Sequence, residues 1–385
     1  MARRLHPIGL ILSTTGSYGA VGRSMLNGAL LACRELSADP ALGVTLEPVH
    51  HDPAGVLPAY AEAAEALLGQ GIRHVVGCYT SSSRKDVIPL FEKRDALLWY
   101  PAHYEGFESS PNVVYTGSAP NHHISPLIGH LVSAYGDRAF CLGSNYIWAW
   151  ESNRVLREDI LARGGTVVAE RYLAVGDTDM DRVIETIFET EPDFVFNALI
   201  GQSAYAFFRK FRAACAGRGI DQVARYPIAS CNLSEPELEE IGEGAVDGHL
   251  SSSVYFASIP TARNRAFVAA YDAQFPDGPS VSVEAEAAYL AVRLLGLSLN
   301  EAGCDDVAAV QRAALSQVID APQGKVHLDP ETVHAFLTPR IGRSRRDGQF
   351  DIVVEARAPL RPDPYMVRHA VTPAAMAWPA LRVVS

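Results

Sequence analysis

Apolar and polar positions follow two rhythms along the chain. Short apolar runs at Ile8–Leu12, Val44–Val49, His74–Cys78, Ala96–Tyr100 and Val113–Tyr115 predict buried strands. Between them the apolar residues recur at helical spacing: in Gly22–Ser37, residues Met25, Ala29, Ala32, Cys33 and Leu36 share one stripe, and Tyr60–Leu68 and Ser83–Lys93 read the same way. Repeated β-α units of this kind predict a mostly parallel sheet covered on both faces. The rhythm restarts with a helix at Ile124–Tyr135. Strands then follow at Ala139–Gly143, Thr166–Tyr172, Phe194–Leu199 and Tyr226–Ala229, alternating with helices at Glu151–Ala162, Asp179–Thr190 and Ser203–Ala216. Gly248–Phe256 follows, then helices at Thr261–Phe275, Ser282–Leu299 and Asp305–Leu315. The tail segments Lys325–Leu328, Val333–Ile341 and Gln349–Glu355 predict antiparallel strands, with a hairpin at Arg343–Gly348.

The joint near Gly117–Asn121 is short, and no Gly/Ser- or Pro-rich linker separates the two β-α sets. Two such lobes are expected to enclose a cleft faced by the carboxyl ends of their strands. Ligand residues are therefore expected in the loops 13–17, 78–82, 100–107, 143–148, 197–203 and 229–234. The loop Cys78–Lys85 carries three serines that suit helix capping, and the free N–H groups of the helix they start suit an anion or carbonyl oxygen. The loop Tyr100–Glu108 gathers three further aromatics, Tyr100, Tyr104 and Phe107, around one Pro and one Gly. Tyr146, Trp148 and Trp150 lie at a loop–helix junction and predict a hydrophobic lid over a small uncharged ligand.

Charge narrows the class. The 385 residues hold 33 Lys+Arg against 44 Asp+Glu, a net charge of −11, with no long basic run, so direct nucleic-acid binding is not expected. Hydrophobic residues are 48% and charged residues 20%, as in ordinary globular chains, and no run of about 18 apolar residues is present to span a membrane. The six cysteines form no C-x-x-C pair and read as buried thiols of a reducing compartment. Arg3 and Arg4 precede an apolar run, Ile8–Leu12, shorter than the roughly 7–15 residues of a secretory core. A cytoplasmic location is the expectation.

Catalytic patterns are poor. Gly201-Gln202-Ser203-Ala204-Tyr205 has Tyr where a nucleophile elbow needs its second Gly. Neither G-x-G-x-x-G nor a Walker loop occurs. His50-His51 and His122-His123 are adjacent pairs, whose side chains would diverge on a strand, and they make weak metal candidates. No enzyme activity, metal or cofactor is expected.

Several stretches nevertheless carry a resemblance. They are GCYTSSSRKDVIPLFEKRDALLWYP, HYEGFESSPNVVYTGSAPN, GSNYIWAWESN, GGTVVAERY, VYFASIPT, Asn264–Val268, EAEAAY, IDAPQGKV and RPDPYMV. Together the chain resembles the cytoplasmic amide sensors that negatively regulate aliphatic amidase operons. These belong to the leucine/isoleucine/valine-binding branch of the type I periplasmic-binding-protein superfamily. The urea and short-chain-amide binding proteins of ABC importers share the TSxSRK and YEG segments and form the alternative.

The resemblance implies an α/β fold of two Rossmann-like lobes with parallel sheets, joined by three crossovers. Lobe I would span 1–119 plus 251–330, and lobe II 120–250 plus 331–385, with the ligand cleft between them. It implies that Ser81 and Tyr100 hold an amide group, that Tyr146 closes over it, and that Tyr79, Tyr104 and Trp148 form the walls. Ala102 stands where the sensors have Thr, Trp148 where they have Tyr, and the loop at Asn232 replaces a Thr-rich one. Those departures leave acetamide, a longer amide and urea open as ligand. The partner implied is an antiterminator protein in the sensor reading and a permease in the importer reading. The oligomeric state stays open.

Overall fold

The structure, a computed structural model, describes residues 3–367 and 381–383. The chain divides into two compact units, 1–119 with 259–337 and 120–258 with 338–385, and so passes from one to the other three times. Of the expected lobes, residues 1–2, 368–380 and 384–385 lie outside the described residues.

Unit 1 begins with β1 (Arg4–Ile11), α1 (Gly19–Ala38), β2 (Val44–His51), α2 (Leu57–Gly69), β3 (His74–Gly77), α3 (Ser81–Arg94), β4 (Leu97–Tyr100) and β5 (Val113–Tyr115). Unit 2 follows with α4 (Pro120–Ala134), β6 (Arg138–Ser144), α5 (Ile147–Ala162), β7 (Thr166–Leu173), α6 (Asp181–Thr190), β8 (Phe194–Ala198), α7 (Gln202–Gly217), α8 (Gln222–Arg225), β9 (Ile228–Ser230), α9 (Glu235–Ile241) and β10 (Leu250–Ser253). The chain returns to unit 1 for α10 (Ala262–Gln274), α11 (Val283–Ala302), α12 (Val307–Ser316), β11 (Ile319–Ala321) and β12 (Gly324–Val326). It ends in unit 2 with β13 (Arg340–Ser344), β14 (Phe350–Ala356) and β15 (Leu381–Val383).

The sheet of unit 1 has the order β2-β1-β3-β4-β5 and is parallel throughout. Its strands are buried on both faces from Ile8 to Ile11 and over all of β3 and β4, which is why they read as continuous apolar runs. Helices α1 and α11 pack closely here. A Cβ at Gly28 would stand 2.1 Å from the Ala285 carbonyl oxygen, so only glycine lets the two backbones approach.

Unit 2 is built on an eight-stranded mixed sheet, β15-β14-β13-β10-β9-β8-β6-β7. The pleat of β6 sorts its residues between two cores. Phe140 and Leu142 join the side formed with α6, α7 and α9, whereas Ala139 and Cys141 join the side formed with α4 and α5. The result is a three-layer α/β unit.

The structure corrects the expected boundaries at two crossovers. Strand β10 belongs to unit 2, because it pairs parallel with β9 and antiparallel with β13. Residues 331–337 belong to unit 1, because Tyr115 N–H donates to Val333 O at 3.0 Å and Ala335 N–H donates to Tyr115 O at 2.9 Å. The expected strand Val333–Ile341 therefore shrinks to isolated bridges at His334 and Ala335, and β13 starts only at Arg340. Helix α5 begins at Ile147 rather than Glu151, since Trp148 and Ala149 bury against the α4 side of the sheet.

Candidate functional site

In an open α/β sheet, ligands gather outside the carboxyl ends of the strands where the strand order reverses. In unit 1 that point lies between β1 and β3, and in unit 2 between β6 and β8.

At the unit 1 switch point the chain turns sharply after β3. Cys78 sits in the left-handed region, with φ of 63°, and its N–H donates to Ile11 O at 3.0 Å. Burial pushes its thiol up to about 12, so the sulfur packs and does not react. Helix α3 then starts at Ser81. Its cap is Thr80, whose side chain accepts from Ser83 N–H at 3.3 Å, while Ser83 Oγ donates back to Thr80 O at 2.8 Å. Capping thus uses Thr80 and Ser83. The Ser81 hydroxyl is turned elsewhere and donates to Glu105 Oε2.

Around Ser81 lies a buried ionic cluster. Arg84, fully buried, donates through Nη2 to Glu105 Oε1 at 2.9 Å, through Nε to Glu108 Oε1 at 2.7 Å, and through Nη1 to Ser81 Oγ at 3.4 Å. Lys85 adds a 2.6 Å bond to Glu108 Oε2 and lies 3.5 Å from Glu105 Oε1. The guanidinium carbon is 4.7 Å from both the Tyr100 and Tyr104 ring centroids. Burial works against the Arg84 charge, but Tyr100, Glu105 and Glu108 outweigh it and hold its pKa well above the ordinary value. Burial likewise opposes the Glu108 charge, and the two cations overcome it and hold the carboxyl below the usual range.

The aromatic residues of this end are tied to the same cluster. Tyr100 OH donates to Tyr79 O at 2.7 Å. The ring of Tyr104 stacks on Tyr115 at 5.1 Å, and Tyr115 stacks on His334 at 4.0 Å. His334 Nδ1 faces the Thr332 carbonyl at 2.6 Å and must donate to it, so Nε2 accepts from Tyr104 OH at 2.6 Å. Burial lowers His334 to about 4, as it does His103, which meets Tyr79 edge-on at 6.2 Å. Ala102 is buried below them. A Cβ at Gly117 would come 1.9 Å from the Ala102 carbonyl oxygen, so the two backbones run in direct contact.

At the unit 2 switch point Tyr146 stands at the start of α5, half-buried, with its ring 6.2 Å from that of buried Trp148. The expected lid is thus divided. Trp148 faces the core, whereas Trp150 is exposed and donates through Nε1 to Asn145 Oδ1 at 3.1 Å. Asn232, after β9, donates to Leu199 O at 2.9 Å, and Ile200 N–H donates to Ser144 Oγ at 3.2 Å, so the β6, β8 and β9 ends are laced together.

Of the residues named from sequence, the structure gathers Tyr79, Ser81, Tyr100, Ala102 and Tyr104 at one end of unit 1, and Tyr146, Trp148 and Asn232 at the corresponding strand ends of unit 2. Sequence reasoning missed Arg84, Glu105, Glu108 and His334. One member of each histidine pair meets a backbone carbonyl distant in sequence. His50 Nε2 meets Leu12 O at 2.9 Å, and His122 Nε2 meets Leu360 O at 3.1 Å from within α4. Among the described residues no group of three or more His, Cys, Asp or Glu is placed to hold a metal ion, and no helix is long and apolar enough to cross a membrane.

Similarity to known proteins follows this architecture. The leucine-, isoleucine-, valine-, threonine- and alanine-binding protein of Pseudomonas aeruginosa is 22% identical over 86% of this chain and 87% of its own. A solute-binding protein of an ABC transporter from Rhodopseudomonas palustris, solved with benzoate, superposes with a TM-score of 0.82 at 19% identity, covering 94% of this chain and 98% of that one. A branched-chain amino acid transporter substrate-binding protein from Streptococcus pneumoniae, solved with isoleucine, superposes with a TM-score of 0.79 at 20% identity, covering 91% and 99%. At these identities the superpositions speak for the fold. Residues 6–370 match the family described as the periplasmic binding protein domain, and the chain belongs to that family.

Proposed function

We propose that this protein is a receptor for a small neutral amide-like solute, which it binds and releases unchanged. The observation that carries this reading is the charge balance at the end of unit 1, where Arg84 and Lys85 are matched by Glu105 and Glu108. A charged ligand desolvated beside this cluster needs a countercharge the cluster has already used, whereas a neutral amide needs only donors and acceptors. In this reading Ser81 and Tyr100 hold the amide group and Tyr146 closes over it. Tyr79 walls the ligand, Trp148 packs in the core behind Tyr146, Tyr104 stands behind Arg84, and Ala102 and Asn232 set the room available. Binding shifts a balance between open and closed arrangements only through its differential affinity for the two.

Delivery of the solute to an ABC importer is the role the comparisons support better, because the transport proteins named above share the fold over nearly their whole length. The second reading is a cytoplasmic sensor that releases an antiterminator partner when the amide binds. It is favoured by the resemblance of stretches such as GSNYIWAWESN, GGTVVAERY and RPDPYMV to the amide sensors. Isothermal titration with acetamide, butyramide, urea and lactamide tests the ligand class, and no heat with any of them overturns it. Cell fractionation separates the two roles: a cytosolic pool excludes the importer, and a periplasmic one excludes the sensor.

A further inference from the structure

The two hydroxyls assigned to the amide group share a feature that the amide reading does not require. Ser81 donates its single proton to Glu105 Oε2, and Tyr100 donates its own to the Tyr79 carbonyl oxygen at 2.7 Å. Neither acceptor can reverse the bond. A carbonyl oxygen has no proton, and the Glu105 carboxylate stands in an ion pair with Arg84 at 2.9 Å and 3.5 Å from Lys85. Both oxygens are therefore left with lone pairs only, and Arg84 already engages each of them in part, reaching the Ser81 oxygen through Nη1 at 3.4 Å and also bonding the Tyr100 oxygen.

We propose that Glu105 is a specificity-determining residue that fixes Ser81 as a hydrogen-bond acceptor, so that Ser81 and Tyr100 form an acceptor pair reading the NH2 group of a primary amide or urea. The inference rests on the amide reading above and deepens it. An NH2 group carries two donor hydrogens and suits two acceptors. A carboxylate, ester or ketone of the same shape carries none and leaves both oxygens facing another acceptor. A site built to receive N–H donors rejects an isostere without them far more strongly than it rejects a change of one methylene. Arg84 is a positioning residue here, acting on the ligand only through Glu105 and Ser81.

The test is calorimetric titration of the full chain with acetamide and with acetone, in which a methyl replaces the NH2 at nearly equal size. The wild type is expected to bind acetamide at least 30-fold more tightly than acetone. In Glu105→Gln the cations hold the amide oxygen, so the new NH2 faces Ser81 and frees the serine proton to point at the ligand. The preference for acetamide should then fall below threefold, with any loss of folding read separately from thermal unfolding. Ser81→Ala, which removes one acceptor without touching the ion pairs, should lower the same ratio and serves if Glu105→Gln fails to fold. A wild-type ratio below threefold, or a folded Glu105→Gln that keeps the full ratio, overturns the proposal while leaving the amide reading intact. If neither acetamide nor urea nor a longer amide binds the wild type, the amide reading itself falls and takes this proposal with it.

Discussion

The two units share a parallel α/β plan and a strand-order switch point, yet the side chains at those points differ in kind. Unit 1 presents a cluster of four charged groups, buried Arg84 and Glu105 with partly exposed Glu108 and Lys85, and Arg84 lies against the Tyr100 and Tyr104 rings. Unit 2 presents aromatic rings, the amides of Asn145 and Asn232, the Ser144 hydroxyl and backbone carbonyls. A charged cluster is directional, because each oxygen and nitrogen must meet a defined partner, whereas an aromatic wall tolerates displacement. One strand-end is thus built to orient hydrogen bonds and the other to exclude water, on the same topology.

Acidification should break this comparison most deeply. Burial lowers His74, His103 and His334 of unit 1 and His249 of unit 2 to about 4. Between pH 6.5 and about 4 the unfolded chain takes up protons that the folded one refuses. Stability is therefore full above pH 6.5 and falls progressively as the pH drops toward 4. The Glu108 contribution, also in unit 1, goes lower still, as its own depressed pKa is passed. Hydrogen exchange followed from pH 7 to 4.5 should show unit 1 amides losing protection before those of unit 2. Equal loss would remove the asymmetry.

Arg84→Met should destabilise the fold by about 3–5 kcal/mol, because it leaves two buried carboxylates short of a partner. Arg154→Met, which breaks an exposed pair with Glu158 on α5, should cost under about 0.5 kcal/mol. Urea denaturation of both variants measures the contrast. Trp148→Phe should cost about 1–2 kcal/mol through lost volume in the α4 side of unit 2 and leave the acid sensitivity of unit 1 unchanged. A changed pH profile would show the two ends to be coupled. In binding rather than stability, Ser81→Ala should weaken amide affinity about tenfold, or about 1.4 kcal/mol, and Ser82→Ala hardly at all. Equal effects in calorimetry would withdraw Ser81 from the site.

Most of the fold is legible in the sequence because the central strands β3, β4, β8 and β10 are buried throughout and helices such as α1 and α7 along a stripe, so run length and period carry the signal. Helix α9 escapes this signal: seven residues rich in Glu show no stripe, and its only advertisement is Pro236 beside the Ser234–Glu237 capping pair. The start of α5 is misplaced because a Trp–Tyr cluster reads as a lid when only one of its rings is exposed to solvent. The charged cluster is harder, since Glu105 lies 21 positions from Arg84 and pairing at that separation has no local signature. A hint exists nonetheless. Arg84, Val87, Ile88 and Phe91 form the buried stripe of α3, and a cation on an apolar stripe requires a buried partner.

The contact of α1 with α11 carries a consequence for how the protein is made. The apolar face of α1 is complete at Ala38, but the helix that covers it, with Ala285 set against Gly28, is translated about 250 residues later. At about 5–20 residues per second that face waits roughly ten seconds to a minute on the ribosome, while residues 120–258 of unit 2 emerge ahead of its cover. Unit 2 in turn lacks β13 and β14 until the last part of the chain appears. Unit 1 is therefore complete before unit 2, but only after most of unit 2 has already been synthesised.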